Sequence, residues 1–146
     1  MLVEVLVAIT VLALVLMSSI TGLLTANRQA AAYRALTAAR LVVERNIEAA
    51  LAASYDASST PAILATTSAS GVVYDDDGGS DNQVSLLVQN AAGTTTVLKG
   101  VLTRIVTTEP NSLNTTIKRI TFRCTFTFRG RNYSTEMTTL RAIDDF

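Results

Sequence analysis

Glu4 is the only charged residue between positions 1 and 27, and it directly precedes a largely apolar run over residues 5–24. About 20 apolar residues at a helical rise of 1.5 Å span the roughly 30 Å hydrocarbon core of a membrane. A carboxylate within such a span costs about 2.5–3.5 kcal/mol at the centre and less near the interface. A carboxylate in this position therefore indicates a specific partner, for which the N-terminal amine of the same or of an adjoining subunit is the candidate.

A second group of carboxylates suggests metal chemistry. Four aspartates lie between positions 75 and 81, around a pair of glycines. Three of them, Asp75, Asp77 and Asp81, could supply calcium ligands, because oxygen ligands at alternate positions are typical of the start of a calcium loop. No acidic residue follows where such a loop places its bidentate glutamate. A polar turn is therefore the favoured interpretation, and no cofactor is expected.

Three arginines alternate with apolar residues near the C-terminal end of the sequence, at Arg119, Arg123 and Arg129. On a strand they would line the solvent-facing side, where they could contact an acidic loop of a neighbouring subunit. DNA binding is the weaker alternative, because the aromatic residues of this segment point to the other side and cannot stack on bases. The formal net charge is zero, so no overall attraction to nucleic acid is predicted either.

The residue types that most catalytic mechanisms need are missing. The sequence has no histidine, which excludes Ser-His-Asp and Cys-His arrangements, and no glycine-rich phosphate-binding loop. Its one cysteine, Cys124, excludes an intrachain disulfide and lies among phenylalanines, as a small buried hydrophobic residue does. We therefore expect a protein that is not an enzyme.

The elements that must position these residues begin with one long helix. No proline occurs before Pro61, and residues 27–54 are rich in alanine, the best helix former. A helix of about 50 residues, roughly 75 Å long, is predicted. Residues 1–27 form its membrane-spanning half and residues 28–54 its amphipathic half. The predicted apolar stripe of the second half, expected to pack on a sheet, comprises Tyr33, Leu36, Val43, Ile47 and Leu51.

A loop region over residues 55–82, rich in Ala, Ser and Thr, separates this helix from a β-rich segment over residues 83–146. Strands are predicted at residues 84–89, 95–108, 117–129 and 132–140 from their β-branched and aromatic content. In the third, apolar residues alternate strictly with polar ones. The expected fold is α+β, with the long N-terminal helix packed on an antiparallel sheet of about four strands.

The first nine residues, MLVEVLVAI, resemble the mature N-terminus of type IV pilins and their pseudopilin relatives. Leu2 and Val3 match the aliphatic pair of that family, and Glu4 matches its glutamate, one place early. The resemblance therefore implies that one initial residue is missing, an N-methylated one that prepilin peptidase exposes. The layout of helix and sheet extends the resemblance over the whole chain.

The resemblance implies a structural subunit of a helical filament, with the inner membrane as its location before assembly and the cell surface afterwards. Its partners would be other copies of the chain, prepilin peptidase and the pilus assembly machinery. Glu4 and Met1 would direct assembly, and the helix would loosen near Ser18, Ser19, Thr21 and Gly22.

Three alternatives remain at this point. Within the family the chain could be a minor pilin or a type II secretion pseudopilin. Outside the family it could be a single-pass membrane protein with an exterior binding domain. A secretory signal peptide agrees less well, because no basic segment precedes the apolar run and no cleavage site is clear.

Overall fold

The computed structural model describes residues 2–56, 59–66, 72–73, 82–91, 94–110 and 117–144. The fold is α+β, as predicted, and divides into two compact units, Met1–Arg34 and Ala35–Phe146. Its elements are helix α1 (Leu2–Ala52), a short 3-10 helix (Ala62–Leu64), and strands β1 (Val72–Val73), β2 (Gln83–Ala91), β3 (Thr94–Glu109), β4 (Ile117–Phe128) and β5 (Arg131–Ala142).

The sheet is antiparallel throughout and is built around β3. Its residue Val101 pairs with Gln83 of β2 on one side and with Thr125 of β4 on the other. The short strand β1 pairs with β3 on the same side as β2, and β5 pairs with the far side of β4. The strand β5 is therefore an edge of the described sheet.

A two-residue turn joins β4 to β5. Arg129 has a φ of 50° and Gly130 a φ of 75°, and the ladder closes at the pair Phe128 and Arg131. Two successive residues with positive φ are the requirement of a type I′ hairpin turn, whose twist matches that of the flanking strands. Glycine adopts this conformation without steric cost.

The four predicted strands are confirmed, with ends that differ by up to two residues. The structure adds the two-residue β1 and the 3-10 helix, both within the segment predicted as a loop region. Both elements are too short for a hydrophobic period to be recognisable in sequence.

The inner face of β4 forms the centre of the core, as its alternation predicts. Ile120, Phe122 and Cys124 are fully buried and Phe126 is 4% exposed, whereas Arg123 between them is exposed. The predicted burial of Cys124 is confirmed, and as the one cysteine of the sequence it forms no intrachain disulfide.

The predicted helix stripe is confirmed in part, because Val43 is fully buried and Leu36 and Ile47 pack partly buried against the core. Tyr33 is 69% exposed and Leu51 is 44% exposed, and of the five predicted residues only Val43 is fully buried. The buried stripe consists of Ala35, Ala39, Val43, Asn46 and Ala50. Four of these five are small or β-branched, and small side chains let a helix axis approach its neighbour closely. Small side chains therefore occupy most of the fully buried positions of the helix.

Close packing also explains Gly100 in the middle of β3. A Cβ atom there would lie 2.8 Å from Leu86 Cδ1 and 3.0 Å from Cys124 Sγ. Leu86 is the extra residue where the β2 register shifts, and it is 6% exposed. The bulge thus points the side chain of Leu86 into the core, where it occupies the space that a side chain at position 100 would need.

Candidate functional site

The N-terminal half of α1 is apolar and uncovered. Every described residue from Leu2 to Ala30 is exposed. The exposed fraction of its large apolar side chains ranges from 48% at Leu24 to 80% at Leu2. By length and composition, α1 can cross a membrane, although a signal sequence near the N-terminus meets the same criterion.

Glu4 lies in the first turn of α1 and is exposed. A carboxylate in the first turn is favourable, because the unpaired N–H groups there carry a partial positive charge. Met1, the predicted partner of Glu4, lies outside the described residues. The pairing of the two therefore stays a prediction.

The residues predicted to loosen the helix lie within a continuous α1. Ser19 Oγ donates a hydrogen bond to the carbonyl of Val15 at 2.9 Å. Thr21 Oγ1 lies 3.0 Å from the carbonyl oxygen of Met17 and 2.9 Å from that of Ser18. These bonds compete with the backbone N–H groups for the same acceptors and slightly destabilise a helix. Loosening in an assembled filament stays a prediction.

The three predicted arginines occupy different environments. Arg119 donates from Nε to Glu109 Oε1 at 2.7 Å, and this bond raises the pKa of Arg119 above its ordinary value. Arg123 donates from Nε to Glu136 Oε2 at 2.6 Å. Both pairs lie on the outer face of the sheet and are partly exposed, so solvent screens them and each contributes little to stability.

Arg129, the third, lies one residue beyond β4, in the hairpin turn. Its guanidinium carbon lies 5.8 Å from the centre of the Phe128 ring, within the range of a cation–π contact. The arginines therefore form no continuous stripe, since two have partners on neighbouring strands and the third leaves the strand. Whether they contact another subunit or DNA stays a prediction.

The aspartates predicted as calcium ligands, Asp75, Asp77 and Asp81, lie outside the described residues. Within the described part of the chain, no three histidine, cysteine, aspartate or glutamate residues form a group that could hold a metal ion.

Two buried cations were not predicted. Lys118 is 8% exposed, and its Nζ donates to Thr66 Oγ1 at 2.8 Å and Thr108 Oγ1 at 2.9 Å. Arg104 is 6% exposed and donates to the carbonyl oxygen of Ala62. These bonds attach the segment around the 3-10 helix to the inner face of the sheet. The inward position of Lys118 could have been predicted from the sequence, because Lys118 is an even number of residues from the buried apolar residues of β4 and lies on the same face of the strand.

A polar cluster joins the end of α1 to the end of β5. Asp144 accepts from the backbone N–H of Tyr55 at 3.0 Å and from Arg141 Nη2 at 2.6 Å. Arg141 Nη2 also donates to the carbonyl oxygen of Ala53 at 3.2 Å. The Tyr55 hydrogen bond, followed by that of Arg141, lowers the pKa of the Asp144 carboxyl below its ordinary value of 3.8. No local sequence pattern indicates a contact between residues this far apart.

Comparison of the chain with family models, with curated proteins and with solved structures found no match in any of the three.

Proposed function

We propose that this protein is a structural subunit of a type IV pilus-like filament, assembled by packing of its N-terminal helices. The observation that carries the proposal is the contrast within α1. Residues 2–30 are exposed throughout and largely apolar, whereas Ala35, Ala39 and Val43 are fully buried in the core of the second unit. A helix with this division has one half committed to a folded domain and another half that needs a different apolar environment.

The cost of leaving the first half in water is large. Full burial of a Val, Leu, Ile or Met side chain contributes about 1.5–3 kcal/mol, and residues 2–24 carry many of them. A membrane satisfies this requirement before assembly, and the packed helices of other copies satisfy it afterwards. The inner membrane and then the cell surface are therefore the proposed locations, and prepilin peptidase and the assembly machinery the proposed partners.

In the proposed filament, Glu4 determines the axial offset between neighbouring subunits. A carboxylate that enters an apolar filament core costs several kcal/mol unless a positive group compensates it. The N-terminal amine of the same copy or of the adjoining one provides that group in the proposed filament. Only the axial offset that brings the two together avoids the cost, so Glu4 selects one arrangement.

Two alternatives share the same helix. A minor pilin or type II secretion pseudopilin would start or cap a short filament, and a single-pass membrane protein would present the sheet without polymerising. Electron microscopy of the purified full-length protein separates them. Abundant long filaments support the major subunit, sparse incorporation supports a minor one, and absence of filaments supports the anchor.

Replacement of Glu4 by alanine tests the proposed mechanism. We expect Glu4→Ala to leave the sheet folded and the protein in the membrane, while filaments become scarce or absent. Glu48→Ala, which removes an exposed carboxylate from the second half of the same helix, is the matched control and should assemble normally. Normal filament yield from Glu4→Ala, without wild-type subunit present, would contradict the role of Glu4.

A further inference from the structure

The outer face of the sheet contains a cleft that the proposed assembly does not use. It has a volume of about 470 Å³, within the range of small-ligand sites. Its lining residues come from β3, β4 and β5, and they are Lys99, Val101, Thr125, Phe126, Thr127, Asn132, Tyr133 and Ser134.

The strand register places the polar lining residues on one face. Thr125 pairs with Val101 and with Ser134, and Thr127 pairs with Asn132, so these side chains form two adjacent rows. Phe126 is 4% exposed and its ring stacks on Tyr133 with centres 5.2 Å apart, towards the other face. The outer cleft therefore presents hydroxyl and amide groups above the strand backbone.

Hydrogen-bonding capacity remains available in these rows. Thr127 Oγ1 donates to Asn132 Oδ1 at 2.8 Å, which leaves the amide nitrogen of Asn132 with two N–H donors for a ligand. The hydroxyls of Thr125 and Ser134 can each donate and accept. A ligand with several hydroxyl groups matches such an array, because each of its oxygens needs both kinds of partner.

The charge of the cleft selects among such ligands. Lys99 is exposed and is the one charged residue of the lining, and the described residues include no ion-pair partner for it. The cations Arg119 and Arg123, further along the same face, already have glutamate partners. An anionic group on the ligand would therefore be attracted to Lys99 in preference to either arginine.

Beside Lys99, the same face carries apolar surface. Val97 is 40% exposed, Val101 is 39% exposed, and Val88, which pairs with Val97, is 56% exposed. Sugar rings have an apolar side formed by their C–H groups, which such valines can contact. Single-stranded nucleic acid is less suitable, because its bases stack on exposed aromatic rings and its backbone needs a row of cations.

From the cleft, its donors and the isolated ammonium, we infer that this face binds acidic saccharides, with a sugar carboxylate on Lys99 and ring hydroxyls on Thr125, Asn132 and Ser134. This inference does not depend on filament assembly, because every group that it uses belongs to the sheet of a single copy.

Calorimetric titration of the full chain in neutral detergent micelles tests it. The probes are a galacturonic acid trimer, its fully methyl-esterified form, a poly-glutamate peptide and single-stranded oligo-dT. We expect the acidic trimer to bind and the ester to bind at least about tenfold more weakly, because the charge-assisted hydrogen bond is lost.

Variants locate the site. Lys99→Gln should weaken binding of the acidic trimer about tenfold, and Ser134→Val should weaken it less. The control, Arg119→Gln, removes a cation from the same face outside the cleft and should leave binding unchanged. Circular dichroism spectra must match the wild type for all three. Equal binding of the ester, equal loss in Arg119→Gln, or tighter binding of poly-glutamate or oligo-dT would each overturn the inference.

Discussion

At the scale of single residues, the core of the sheet depends on a few aromatic contacts. Phe126→Ala should lower the free energy of unfolding by about 3–5 kcal/mol, because it removes a ring that is 4% exposed and stacked on Tyr133. Urea titration followed by circular dichroism measures the loss. Phe128→Ala is the matched control, since that ring lies at the end of β4 and is only partly buried. Equal losses in the two variants would contradict the placement of Phe126.

The alternation of residues along β4 explains which of its side chains were correctly predicted to be buried and why the burial of Lys118 was not predicted. Alternation placed Phe122, Cys124 and Phe126 inside correctly, because a buried face imposes a period of two on a strand. The same alternation also places Lys118 inside, although lysine is rarely buried without a partner. The structure resolves the conflict with two threonine hydroxyls that accept from the ammonium, and one of them, Thr66, is distant in sequence. Sequence alone cannot provide that partner.

At the scale of elements, the polar cluster between α1 and β5 makes stability depend on pH. The folded pKa of Asp144 is lowered, so its contribution is fully present above the ordinary value of 3.8 and is lost as the pH falls through the folded value. Asp144→Asn should therefore have a lower urea midpoint than the wild type at neutral pH. The difference should shrink once the pH is well below 3.8, where the wild-type carboxyl is also neutral.

The control for this measurement is Glu44→Gln, which removes a carboxylate from the exposed Arg40 pair within α1. Its midpoint should differ little from that of the wild type at neutral pH. A difference between Asp144→Asn and the wild type that stays constant across this pH range would show that charge is not responsible.

Within α1, we expect the turns around Ser19 and Thr21 to open when the subunit is packed in a filament. Gly22→Ala should reduce that opening, because alanine favours a helix by about 0.8–1.0 kcal/mol over glycine and its Cβ would contact nothing within 4 Å in the single subunit. Hydrogen exchange of filaments measures it. Protection over residues 13–22 should be lower than over residues 35–46, and it should rise in the variant. Equal protection of the two stretches in the wild type would contradict the loosening.

The long helix shows where sequence patterns stop being informative. Its existence follows from composition and from the absence of proline, and its end at Ala52 lies two residues before the predicted change to a segment rich in Ser and Thr. Its buried face follows only in part, because Leu36 and Ile47 pack partly buried against the core whereas the most buried positions are mostly alanines. The way a helix packs on a sheet depends on tertiary structure, so the spacing of apolar residues along the sequence does not determine it.

At the scale of the whole molecule, we expect filaments to weaken with increasing salt if the acidic stretch with Asp75, Asp77 and Asp81 contacts cations of a neighbouring copy. Exposed ion pairs are screened within about 8–10 Å at moderate ionic strength. Sedimentation of filaments at low and high salt, with and without a chelator, measures this. Dissolution by the chelator combined with tolerance of high salt would instead support calcium at the aspartates.

The cluster that joins Tyr55 to Asp144 also has a mechanical consequence. These two residues are 89 positions apart, yet they are adjacent in space and directly bonded. Tension that passes the buried stripe of α1 therefore reaches β5 through Tyr55, Ala53 and Arg141. Breaking these few bonds would redirect the force into the loop that follows the helix. The rate at which these bonds and the packing of the buried stripe rupture under force, rather than equilibrium stability, would then set how long a pulled subunit keeps its sheet attached.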